Sequence, residues 1–294
     1  MSNQKIYTIE QIKRFLRTSN ASKVAMECDV SIRTLERIIS DRTGKTGTYS
    51  GGTIRRMSAY MGSFLDEFDD TYLRKPITRE ELVKLIRDGM NVTHVDTSEI
   101  TDMSYLFMGQ KEFNQDIRGW NTSSVTDMSF MFDGAESFNQ DISGFDTSSV
   151  TNMRHMLSCA KSFNQDISGL DTSSVIDMSG LFAGAKSFNH DISGLDTSGV
   201  TNMSSMFNYA IAFNQDISGL NTALVTDMSF MFNCAKAFNQ DISGLNTALV
   251  TDMSFMFNGA ESFNQDISKL DTSSITNNRC MPDFTFINNN NKDE

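Results

Sequence analysis

Val125-Thr126-Asp127-Met128-Ser129-Phe130-Met131-Phe132-Asp133-Gly134-Ala135 is one copy of a unit that returns every 25 residues from about residue 92. Its apolar residues Met128, Met131, Phe132 and Ala135 stand at i, i+3, i+4 and i+7, the spacing of one helix face. Thr122, Ser123 or Ser124 can cap such a helix, and Asp127 follows Ser124 at the capping-box distance. Gly134 loosens its last turn. Further on, Asp141-Ile142-Ser143-Gly144-Phe145 sets Ile142 between polar neighbours and predicts one short strand per unit.

Outward from this stretch the same residue types recur in columns. Phe stands at Phe113, Phe138, Phe163, Phe188, Phe213, Phe238 and Phe263, each followed by Asn, and Ile recurs from Ile117 to Ile267. A fixed period in this range is the signature of stacked repeats, in which no coil can bury its apolar face alone. The expected fold is an α/β solenoid, a parallel leucine-rich-repeat-like stack of 25-residue coils, each a short strand plus a short helix, preceded by a small all-α domain. About seven coils are expected over 92–281. The Asn column predicts a ladder of side-chain amides bonded to the next coil. The Asp column from Asp116 to Asp266 predicts carboxylates that accept backbone N–H groups at turns, which lowers their pKa. A calcium role for that column would need a glycine-rich nonapeptide repeat, which is absent.

The unit Phe-Asn-Gln-Asp-Ile-Ser-Gly followed by Asp-Thr-Ser-x-Val-Thr-Asp-Met-Ser-x-Met-Phe resembles the repeat of BspA-type bacterial surface proteins, a divergent leucine-rich-repeat class. The resemblance covers roughly residues 78–281. It implies a parallel solenoid with a binding rather than a catalytic role, and members that are often exported.

The repeat needs a sealed end. Residues 76–91 predict an N-terminal cap helix: Thr78 and Glu81 form a capping box, Leu82, Leu85 and Ile86 make an apolar stripe, and Gly89 closes the helix. At the other end the Met column becomes Asn278 and the Phe column Pro282, and residues 282–294, rich in asparagine, are expected to be disordered.

Charge divides the chain. Residues 1–62 carry 11 Lys+Arg and 5 Asp+Glu, whereas residues 63–294 carry 14 and 32, so +6 and -18 sum to the net -12. A basic head on an acidic body implies two modules with different partners. Within residues 1–75, the stretch Ser22 to Ile39 resembles a helix-turn-helix, and the helix order is similar to Cro and phage-repressor DNA-binding domains. That resemblance implies that Ser31, Ile32, Arg33, Glu36 and Arg37 begin a recognition helix in the major groove. Arg33 would contact a base, and Arg42, Lys45, Arg55 and Arg56 would contact phosphates. Asp29 stands where the turn usually holds Gly. A small helical bundle with solvated arginines, or a protein-contact module, fits the same residues.

Catalytic constellations are missing. The histidines His94, His155 and His190 fall in different columns, no Cys-x-x-Cys occurs, and no phosphate-binding glycine loop appears. No catalytic residue, metal, cofactor or small-molecule substrate is therefore expected. No stretch approaches the length of a membrane span, and MSNQKIYTIEQ at the N-terminus has no apolar signal core, so a cytoplasmic location is expected, with a cell-surface location by another route as the alternative. Cys159 and Cys234 share a column three coils apart, about 14 Å at a strand-like spacing, too far for a disulfide. They predict small buried thiols.

Candidate contact residues come from the position two after each column Met: Tyr105, Phe130, His155, Gly180, Ser205, Phe230 and Phe255. Aromatics gather at both ends of this column. Tyr105, Phe130, Phe230 and Phe255 fit a protein-contact surface, or rings folded down over neighbouring methionines. The function expected is non-catalytic binding, with double-stranded DNA on the head and a protein partner on the repeats. The alternatives are a surface adhesion or host-interaction protein, and a rigid spacer.

Overall fold

The structure is a computed structural model in which residues 76–93 and 95–281 are described. The chain divides into two compact units, residues 1–99 and 100–294. The helices and site residues expected over residues 1–75, Cys28, His94 and the tail 282–294 lie outside the described residues.

In the first unit the helix α1, Arg79–Arg87, forms as its sequence requires. The Thr78 side chain accepts the Glu81 N–H, and the Glu81 carboxylate accepts the Thr78 N–H at 3.0 Å. Both orphan donors of the first turn are thereby used. Gly89, at φ +69°, ends the helix: its N–H reaches the Ile86 carbonyl and that of Met90 reaches Leu85, the paired bonds of a Schellman turn. Leu82, Leu85 and Ile86 are buried. The chain after the helix returns to Pro76 as a parallel bridge with Asp96.

The second unit repeats in register but is not the α/β solenoid its periodicity predicts. Among the described residues α1 is the one helix, and there is no sheet: coils meet at isolated parallel bridges that link Asp102, Asp127, Asn152, Asp177, Asn202, Asp227, Asp252 and Asn277 in turn. The leucine-rich-repeat-like coil of strand plus helix is therefore corrected on both counts. The segment Asp141–Phe145 is a turn closed by the Phe145 N–H on the Ile142 carbonyl. The strand-like contact lies instead at Asp127, where a helix was expected to begin.

The hydrogen bonds explain why residues 128–135 are not helical. The N–H groups of Met128, Phe130, Phe132 and Gly134 donate forward to the carbonyls of Asn152, Arg154, Met156 and Ser158 in the next coil. Those of Met131, Asp133 and Ala135 donate back to the third residue before them. An α-helix would spend every N–H beyond its first turn internally, and could not alternate forward and backward bonds along its length. The alternation requires left-handed backbone, found at Phe130 (φ 56°) and Gly134 (φ 72°). The expected capping box of Ser124 and Asp127 gives way to an Asx turn, with Asp127 Oδ1 accepting the Ser129 N–H at 2.7 Å.

The apolar columns close as their spacing predicts. Met128, Met131, Phe132 and Ala135 are fully buried, as are their counterparts Met228, Met231, Phe232 and Ala235. Phe138, Phe163, Phe188, Phe213 and Phe238 stack at 5.9–6.1 Å between centroids, each against a second ring of its own coil where one exists, such as Phe182 on Phe188 at 4.1 Å. The amide ladder also forms: Asn114 Oδ1 accepts the Asn139 N–H at 2.9 Å, and the pattern continues to Asn264 on Asn239. Thr122, Thr147, Thr172, Thr197, Thr222 and Thr247 each donate a hydroxyl to a carbonyl 24 residues on. The cysteines depart from expectation, since Cys159 is exposed and Cys234 half-buried.

Candidate interaction surface

One column of left-handed residues carries the surface rings. Tyr105, Phe130, His155, Gly180, Ser205, Phe230, Phe255 and Cys280 all have φ between 52° and 62°. Such backbone costs a residue with a Cβ roughly 1–2 kcal/mol. The forward bond at the same position offsets it: the Phe130 N–H reaches Arg154, and the Phe230 N–H reaches Ser254, both at 2.9 Å. Because every coil turns its residue outward at this point, ring stacks on ring. Tyr105 and Phe130 lie 4.8 Å apart at 7°, and Phe230 and Phe255 lie 4.7 Å apart at 8°.

The structure thus brings the four expected contact residues together as two pairs and keeps the pairs apart. Tyr105 is 52% exposed, and Phe130, Phe230 and Phe255 are half-buried. His155 of the same column joins them, and two arginines that were not anticipated do so as well. His155 stacks on Phe130 at 4.9 Å, making the first ladder three rings long. Arg154 lies over Phe130 at 5.7 Å and Arg279 over Phe255 at 5.6 Å. Their signal in the sequence is Arg in a column that otherwise holds Ser. Burial, then the Arg154 charge, holds the His155 imidazole below its ordinary pKa against Asp133 and Asp177, so it is neutral at pH 7.

Between the ladders stand Gly180 and Ser205. Further apolar side chains are exposed at Ile176, Leu224 and Leu249, the last two in adjacent coils where other coils carry Ser, Gly or Glu. Among the described residues no group of three or more His, Cys, Asp or Glu is placed to hold a metal, and no helix is long and apolar enough to cross a membrane. The Asp column instead makes Asx turns, as in Asp141, whose Oδ1 accepts both the N–H and the hydroxyl of Ser143.

Twenty-five-residue coils in register, bonded forward and filled by like side chains, define a tandem-repeat protein. The chain belongs to the family described as "Mycoplasma protein of unknown function, DUF285", whose model matches residues 81–195 and again residues 177–293. The chain matches no curated protein and no solved structure.

Proposed function

We propose that this chain is a non-catalytic binding protein whose stacked coils present a rigid surface to a protein partner. The observation that carries the reading is the pair of ring ladders. The core is complete without them, because the Met and Phe columns beneath are fully buried. Yet Tyr105, Phe130, Phe230 and Phe255 hold strained backbone and leave large aromatic area in contact with water. Aromatic and arginine side chains carry most of the energy of protein interfaces, and here both types share one column of the surface.

The test is a double variant, Phe230→Ser with Phe255→Ser. Partner capture should be abolished while the thermal midpoint stays nearly unchanged. A large fall in the midpoint would make these rings part of the core and remove the reading. For residues 1–75 we propose double-stranded DNA as partner, on the charge of +6 over residues 1–62 and on the resemblance of Ser22 to Ile39 to a helix-turn-helix. The full chain titrated with random duplex DNA at two salt concentrations should bind more weakly by orders of magnitude at the higher, because each neutralised phosphate releases counterions. Salt-independent binding, or none, would refute it.

A further inference from the structure

The gap between the two ladders has the chemistry of a binding site. From His155 to Phe230 is three coil steps, about 14 Å at the strand-like spacing, whereas successive rings within a ladder lie 4.7–4.9 Å apart. Gly180 and Ser205 fill the two steps between without a ring. The His155 imidazole leans over Gly180, where any Cβ would collide with it. The rung of Ser205 is then bounded by His155 on one side and by Phe230 on the other, whose far side is stacked on Phe255.

Hydroxyls and carboxylates line this rung. The serine one coil beyond a ring is buried, as Ser129 is beyond Tyr105, Ser179 beyond His155 and Ser254 beyond Phe230. Beyond Gly180 and Ser205, Ser204 and Ser229 are only half-buried. Among the described residues, Ser179 Oγ is the one buried side-chain polar atom without a hydrogen-bond partner. The Asp177 carboxylate acts on His155, and Asp227 stands to Ser205 in the repeat as Asp177 stands to His155, 22 residues on. Residues 156–255 carry nine aspartates, three lysines and no arginine. The arginines that lie over rings, Arg154 and Arg279, belong to the coils outside the gap.

We infer that the Ser205 rung receives an arginine side chain from a basic partner segment, its guanidinium stacked on the open face of Phe230 and its N–H groups turned to the serine hydroxyls and Asp227. The inference rests on the reading of the ladders as a partner surface and names that partner's chemistry. A guanidinium is planar, cationic and rich in donors. It matches a slot with an aromatic wall, acceptors beneath it and negative charge around it. The chain supplies the same contact to itself where Arg154 meets Phe130 and Arg279 meets Phe255. A lysine has the charge but not the plane, and an apolar ring would leave the half-buried hydroxyls of Ser204 and Ser229 unused.

The test uses the full chain and three short peptides that differ at one position: arginine, lysine and citrulline, the last having the shape of arginine without its charge. Binding is followed by ligand-observed NMR. The arginine peptide should bind about tenfold more tightly than the lysine peptide, and the citrulline peptide should not bind measurably. Ser205→Phe completes the ladder with the residue that Phe130, Phe230 and Phe255 already place at the same backbone angle, and should abolish arginine binding. Phe230→Leu, a second route to the same site, should weaken it about tenfold. Equal binding of arginine and lysine peptides, or arginine binding unchanged in both variants, would overturn the inference. If Ser205→Phe still captures the partner that Phe230→Ser with Phe255→Ser loses, the arginine slot is refuted while the partner surface stands.

Discussion

The imidazole of His155 occupies the space that a side chain on Gly180 would need. Gly180 also has φ +62°, in the left-handed region. Two separate reasons therefore keep this position without a Cβ, and a double-mutant cycle distinguishes them. Gly180→Ala should destabilise the protein by about 2–4 kcal/mol, of which about 1–2 is backbone strain and the rest the collision with His155. Adding His155→Ala should recover the collision part only. Denaturant midpoints of the two single variants and the double measure the coupling. Additive effects would mean that the ring simply moves aside.

The amide ladder allows a sharper chemical test than the apolar columns. Asn214 Oδ1 accepts the N–H of Asn239 at 2.9 Å and the Gln240 amide at 3.0 Å, both part-buried. Asn214→Ala leaves a backbone donor without its partner, which costs about 1–3 kcal/mol. Asn214→Asp keeps an acceptor oxygen in the same place and should restore most of the loss at pH 7. If the aspartate variant is no better than the alanine one, the ladder does not act through its acceptor.

Phe188 tests the packing itself. Its ring is fully buried, 6.0 Å from Phe163, 6.1 Å from Phe213 and 4.1 Å from Phe182. Phe188→Ala opens a cavity that neighbouring coils cannot close, because their own stacked rings fix the spacing. The expected loss is about 3–5 kcal/mol. In a stack whose coils contact only their neighbours, the variant should also uncouple the two halves of the array. Hydrogen exchange should then show residues 100–180 and 195–275 opening separately, and a single concerted opening would contradict this.

What was legible in the sequence follows from what periodicity reports. The spacing of Met128, Met131, Phe132 and Ala135 identifies side chains that turn inward, and all four are buried. It says nothing of where their N–H groups go, so the same four residues fit a helix face and a coil bonded to its neighbours. The capping box at Thr78 and Glu81 was readable because both partners lie within four residues. The left-handed positions were harder. Gly109, Gly134, Gly184 and Gly259 share a column with Cys159, Tyr209 and Cys234, all at positive φ. The glycines were the signal, and the non-glycine members concealed it. The two aromatic pairs were visible at the ends of one column, but the stacking of His155 and the two arginines on them depends on which side each side chain leans.

The carboxylate turns give the protein a stability that depends on acid in a definite direction. Asp146 accepts the Ser148 hydroxyl at 2.7 Å and its N–H at 3.2 Å, and Asp171 does the same with Ser173 at 2.7 and 3.0 Å. In Asp146, Asp171 and Asp196 the serine hydroxyl, then its N–H, holds the carboxyl below the ordinary aspartate pKa. The folded-state pKa lies below the unfolded one, so in the interval between them the unfolded chain binds more protons. Their contribution is fully present above the unfolded value of about 3.9 and is lost as pH falls through the folded value. The same column holds Asn121, Asn221 and Asn246 in three coils, where the amide oxygen accepts the N–H of Ser123, Ala223 and Ala248 at 3.1 Å. An uncharged residue therefore makes the turn equally well. The triple variant Asp146→Asn, Asp171→Asn, Asp196→Asn should match the parent at pH 7 or exceed it slightly, since it removes a row of like charges. As pH falls below about 4 its thermal midpoint should fall less steeply than the parent's. Identical slopes would show that the acid sensitivity lies elsewhere in the chain.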